Sequence, residues 1–194
     1  MKLAFSQLLM CLLLTNFWSV VVHAEISEKD TVKTLESFFS ALSVENYGNG
    51  DLENIVTEDF VIFEMGQRFT LPQFKEFLAS ANYTDWVSTH WALSNHTVTS
   101  GQESAHIFYQ NDGVFIFPST SDPEKLSKQQ NMWLESALVV KEGEILKLKF
   151  LQSENVTRIE TTLDDADEGL ADSRIHLTCD YLSLYADFGV SWPT

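Results

Sequence analysis

Apolar residues first recur at helical spacing after Glu28, where Val32, Leu35, Phe38, Phe39 and Leu42 fall on one face and the acids stand near the start, complementing the helix dipole. This predicts an amphipathic helix over 28–42. Tyr47-Gly48-Asn49-Gly50 reads as a turn, and Asp51 as the cap of a second short helix through Val56. Residues 60–65 read as a strand by their β-branched and aromatic content, closed by Gly66. Pro72 in a first turn, with Phe74, Phe77 and Leu78 on one side, predicts a third helix over 71–81. After it the pattern changes to four long strand-like runs at 86–98, 104–117, 132–140 and 145–156. They are joined by a Ser-Gly turn, a polar loop with Pro118 and Pro123, and Lys141-Glu142-Gly143-Glu144. Connections this short suit antiparallel pairing. The expected class is therefore α+β, with N-terminal helices packed in a strongly curved antiparallel β-sheet.

The chain opens on Met1-Lys2, runs apolar to Val22 and closes on Val22-His23-Ala24, the pattern of a signal peptide cleaved after Ala24. A membrane anchor is the competing reading, and Ser6, Gln7, Thr15, Asn16, Ser19 and the acidic Glu25 argue against it. Three segments follow: 1–24 as signal peptide, 25–156 as the folded domain, and 157–194 as an acidic linker and C-terminal extension. Within that extension a calcium loop from Asp164 fails, because Ala166 stands third and Ile175 stands where the bidentate Glu belongs. Residues 174–181 alternate polar and apolar, as an added strand would, while Leu177, Tyr181, Leu184, Tyr185 and Phe188 also allow a helix.

The formal charge of −16 becomes −17 when Lys2 leaves with the leader. Such a surface repels phosphate backbones and anionic headgroups, so neither nucleic acid nor, after signal cleavage, a membrane is an expected partner. Cys179 would be the sole mature cysteine, which excludes an intramolecular disulfide. The expected location is exported, periplasmic or secreted. Sequons at Asn82, Asn95 and Asn155 matter only if the source glycosylates.

The helices, then Asp59-Phe60-Val61-Ile62-Phe63-Glu64-Met65-Gly66-Gln67, and finally Trp133-Leu134-Glu135-Ser136 with Lys147-Leu148-Lys149-Phe150-Leu151-Gln152-Ser153, resemble the SnoaL-like branch of the nuclear transport factor 2 (NTF2-like) superfamily. The resemblance spans about 29–156. It implies a cone in which a bent sheet wraps the long helix around a cavity, and a homodimer formed through the outer face of the sheet. Members include isomerases, cyclases, dehydratases and epoxide hydrolases as well as non-catalytic modules, so activity must be argued from the pocket.

Strand alternation puts Glu64 on the face of Phe60 and Ile62, and Gln152 on the face of Leu146, Leu148 and Phe150. If those faces line the cavity, Glu64 is a carboxylate in apolar surroundings, where burial raises its pKa toward the working range of a general base. A structural Glu64, paired with Arg68, is the plainer alternative. His90 and His106 lie in consecutive strands and are candidates for a titratable pair facing across a hairpin. With Glu135 they also offer a conceivable metal triad, but no short ligand spacing supports it, and no metal or cofactor is expected. Trp91, Tyr109 and Trp133 are candidate walls for a flat ligand, with Glu135 and Gln152 as polar contacts. Three functions stay open: a binder of a small apolar or aromatic molecule, an isomerase, cyclase or dehydratase using Glu64 with a His or Tyr partner, and a structural dimerisation module.

Overall fold

The computed structural model describes residues 24–122 and 124–163. The leader up to His23 and the extension from Asp164, with His176, Cys179 and the alternating 174–181, lie outside the described residues.

Helix α1 spans Glu28–Leu42, and the Ser27 side chain caps it by accepting from the Asp30 backbone N–H at 3.1 Å. Its buried face carries Leu35, Phe38, Phe39 and Leu42, so the 3.6-residue spacing of the sequence is the spacing of the core contacts. A short α2, Asp51–Ile55, follows, then strand β1, Val56–Glu64, and β2, Gln67–Thr70. Between these strands Met65 and Gly66 both take positive φ, at 51° and 74°, so Glu64 pairs directly with Gln67 in a tight hairpin. Helix α3, Leu71–Ser80, is opened by Gln73, whose side chain accepts from the Thr70 backbone N–H at 2.9 Å, and by Pro72. A 3₁₀ turn at Tyr83–Asp85 is tied to the end of α1 by the Tyr83 hydroxyl donating to the Leu42 carbonyl at 2.6 Å.

The remaining strands are β3, Ser88–Ser100, β4, Ser104–Pro118, β5, Leu126–Glu142, and β6, Ile145–Thr162. They form one curved, unclosed sheet in the order β2-β1-β6-β5-β4-β3. The α+β class and cone hold, with one correction. The sheet is mixed, because β1 runs parallel to β6 while every other neighbour is antiparallel. The helical segment between β2 and β3 and the three hairpins after it return the chain beside β1 in the parallel sense.

Several boundaries also move: β1 begins at Val56 rather than 60, β2 is a strand that the sequence pattern did not signal, and the largest changes are in β5 and β6. β5 begins six residues before the predicted 132, since Ser127, Gln129 and Asn131 are buried against the sheet despite their polarity. β6 continues six residues past 156, where it pairs back along that polar stretch as far as Ser127 with Thr162. Polar composition disguised both ends as loop, and cross-strand pairing overrode it.

The core lies between the helices and the concave face of the sheet, where Phe38, Phe60, Leu148 and Leu151 are each at most 1% exposed. The convex face is less covered, with Phe63, Phe108 and Leu134 at 41%, 47% and 55% exposure.

Gly113 of β4 makes room for the concave side. A Cβ there would meet Trp133 at 2.5 and 2.9 Å and Phe115 at 3.0 Å. Gly113→Ala is expected to cost about 1 to 3 kcal/mol by overpacking and to shift the tryptophan emission. Chemical denaturation followed by fluorescence checks it, and an unchanged midpoint and spectrum would contradict the packing described.

Candidate functional site

A cavity of about 190 Å³, partly open to solvent, lies between the concave face and the helices. Its helical side is apolar: Phe38, Phe39 and Leu42 come from α1, and Phe74, Phe77 and Leu78 from α3. Its sheet side is aromatic. Trp91 on β3 packs against Phe115 on β4 with ring centres 5.4 Å apart, and Phe115 packs against Trp133 on β5 at 5.8 Å. Trp86 extends the wall, 5.4 Å from Phe115.

One polar row interrupts this apolar lining, and the register explains it. Phe63 pairs with Gln152 across β1 and β6, Glu135 with Ser153 across β5 and β6, and Tyr109 with Glu135 across β4 and β5. Glu64, Ser153, Glu135 and Tyr109 therefore stand in a line across four adjacent strands, all toward the concave side. The Ser153 hydroxyl donates to Glu135 Oε1 at 2.9 Å, and Asn111 Nδ2 donates to Glu135 Oε2 at 3.1 Å. Ser153 also lies within hydrogen-bonding reach of Glu64. Ser153 thus stands between the two carboxyls.

Burial dominates the titration of this row. Glu135, 6% exposed, is pushed up to about 7 by desolvation, partly offset by the nearby Tyr109 hydroxyl and by its bonds from Ser153 and Asn111, and reinforced by the charge of Glu64. Glu64 is raised in the same direction by burial, against the pull of Ser153 and the Arg158 guanidinium. The Tyr109 hydroxyl is driven well above its ordinary 10.0 by burial and by the neighbouring Glu135 charge. It meets no full hydrogen-bond geometry with any described residue, so proximity and charge are what couple it to Glu135. The Asn111 Oδ1 atom is likewise buried without a partner among the described residues.

The structure brings some predicted residues together and separates others. Glu64, Trp91, Trp133 and Glu135 line the cavity. Tyr109 is buried beside Glu135 and is not among the lining residues. Gln152 is exposed on the convex face, a correction with a clear cause: β6 holds one extra residue, Lys149, between Leu148 and Phe150. That bulge reverses the alternation, so Leu151 and Ser153 turn inward and Gln152 outward. His90 and His106 do not face each other. The turn at Gly101 pairs His106 with Thr99, and a bulge between Ser94 and Thr97 then shifts the register so that His90 meets Val114. His90 is exposed, and His106 sits on the convex face against Phe108. Glu64 finds its cation in Arg158, while Arg68, paired with Phe63, is exposed. Asn111, Ser153 and Arg158 were missed. A signal existed for Asn111, the polar member of the inward series Ala105, Ile107, Tyr109.

Because Glu135 has a folded pKa near 7 against 4.5 in the open chain, the native state gains from it below pH 4.5 and loses that gain as pH rises to 7. Relative to Glu135→Gln, the wild-type protein is expected to lose about 3 kcal/mol of stability across that window. Urea midpoints of both proteins from pH 4.5 to 8 check this, and parallel curves would refute the buried titration.

No protein-family model matches the sequence, and no curated protein matches it. Solved structures do. A scytalone dehydratase-like protein from Novosphingobium aromaticivorans superposes with a TM-score of 0.54 at 12% identity, over 70% of this chain and 88% of its own. An NTF2-like protein from Cytophaga hutchinsonii gives 0.50 at 10%, over 68% and 100%. The CaMKII hub of S. rosetta gives 0.50 at 13%, over 66% and 95%. At such identities the likeness speaks for architecture alone, and the architecture of this chain is the NTF2-like fold.

Proposed function

We propose that this chain is an exported protein that binds a small, flat, apolar molecule in its cone. The observation that carries the reading is the cavity of about 190 Å³ walled by Trp91, Phe115 and Trp133. A dry cavity of roughly 150 Å³ is enough to take benzene, so one or two fused rings fit this one. Stacking and edge contacts on the aromatic wall add to the burial of the ligand's own surface. Export rests on the leader at 1–24.

A second reading, proton-transfer catalysis, is favoured by the line of Glu64, Ser153 and Glu135. A ligand C–H beside Glu64 could lose its proton to that carboxylate while neutral Glu135 supplies a hydrogen bond to the oxygen that gains charge.

Calorimetric titration with 3-methylindole is expected to give saturable heats with one site per chain. A response that never saturates would remove the binding reading. For the catalytic reading, a bound ketone with acidic α-hydrogens should exchange them with D2O in the wild-type protein and at least a hundredfold more slowly in Glu64→Gln. Equal exchange by NMR would leave binding alone.

A further inference from the structure

Resting on the binding reading, we propose that the cavity is built for a cationic ligand, a protonated aryl-alkyl amine of one or two rings whose ammonium sits against Glu135 and Asn111 Oδ1 and whose ring lies on the wall of Trp91, Phe115 and Trp133.

The first argument is the inventory of polar atoms at the inner end. Glu135 and Glu64 offer carboxylate oxygens, and Asn111 lines the cavity with an unpartnered Oδ1 although the residue is only 1% exposed. All are acceptors once the carboxyls ionise. A buried acceptor without a donor is costly, and an ammonium supplies three donors to a cluster of this kind. The second argument is the wall itself, because a cation beside the faces of tryptophan rings gains from their quadrupoles, more so where water is excluded. The third is the field: a chain of net charge −16 concentrates cations at its surface.

The charged surroundings do not oppose this. From β1 the group facing Glu135 is Glu64, from β4 Tyr109, and from β6 Ser153 with Arg158 further along. α1 and α3 contribute apolar side chains to the lining. Arg158, the one cation among the described lining residues, is exposed and acts on Glu64.

A neutral ligand and a cation then make opposite demands on Glu135. Since that carboxyl titrates near 7 in the free protein, an ammonium must displace its proton, whereas a neutral acceptor would keep it in place. Affinity for an amine that stays charged should therefore rise about tenfold between pH 6 and pH 8, with release of a proton on binding.

The test is calorimetric titration of the full mature chain with tryptamine and with 3-methylindole, its neutral counterpart, at pH 6 and pH 8, in buffers of different ionisation enthalpy. Tryptamine is expected to bind about tenfold more tightly at pH 8 and to release a fraction of a proton near pH 7. Glu135→Gln is expected to erase the preference for tryptamine over 3-methylindole. The proton count on the wild-type protein decides the matter even if that variant folds poorly. If 3-methylindole binds as well as tryptamine, or tryptamine affinity does not rise with pH, the cationic assignment falls while the binding reading stands. If neither binds, both fall.

Discussion

Strand β6 holds one more residue than its partner between Leu148 and Phe150, and Lys149 absorbs the excess by bulging to Asp59 of β1, with the Lys149 amine 2.5 Å from the Asp59 carboxylate. Through that displacement Leu148 and Leu151 both point into the core, each at most 1% exposed, although two residues, Lys149 and Phe150, lie between them. A strand of unbroken alternation would have turned Leu151 outward and Gln152 inward. The bulge also adds twist and bend where the sheet must wrap α1. The inward places of Leu151 and Ser153 depend on this irregularity, and further register shifts between Ser94 and Thr97 and between Met132 and Trp133 add to the bending of the sheet.

From Ser153 the polar row can be followed in energetic terms. Desolvating a carboxylate in an apolar cavity is expensive, and the protein relieves the expense in two ways. Ser153 and Asn111 donate to Glu135, and its pKa rises until the neutral form is populated near pH 7. Glu135 faces the cavity rather than lying sealed in the core, and the proposed binding reading rests on that placement.

The aromatic wall and the carboxyl row come from different parts of the chain. Trp91 and Phe115 belong to the β3–β4 hairpin, Trp133 and Glu135 to β5, and Glu64 to the first hairpin. Gly113, paired with Trp91 on one side and Asn131 on the other, leaves the space that the Trp133 ring occupies. Small changes in strand phase would therefore move chemistry as well as packing, since a slip by one residue exchanges the concave face for the convex one.

The sequence alone determined the elements whose signal is local. The spacing of Leu35, Phe38, Phe39 and Leu42 fixed α1, Pro72 and the phenylalanines fixed α3, and the alternation around Phe60 and Ile62 placed Glu64 on the inward face, because helix and strand periodicities are properties of a few consecutive residues. What the tertiary structure decided was everything that depends on pairing between distant strands. The parallel contact of β1 with β6, the recruitment of Ser127 to Asn131 into β5, the separation of His90 from His106, and the exchange of Gln152 for Ser153 at the site all follow from register and from the bulge at Lys149. Register is set by backbone hydrogen bonds between strands, and a sum of such long-range pairings leaves no mark in the hydrophobic pattern of any one strand.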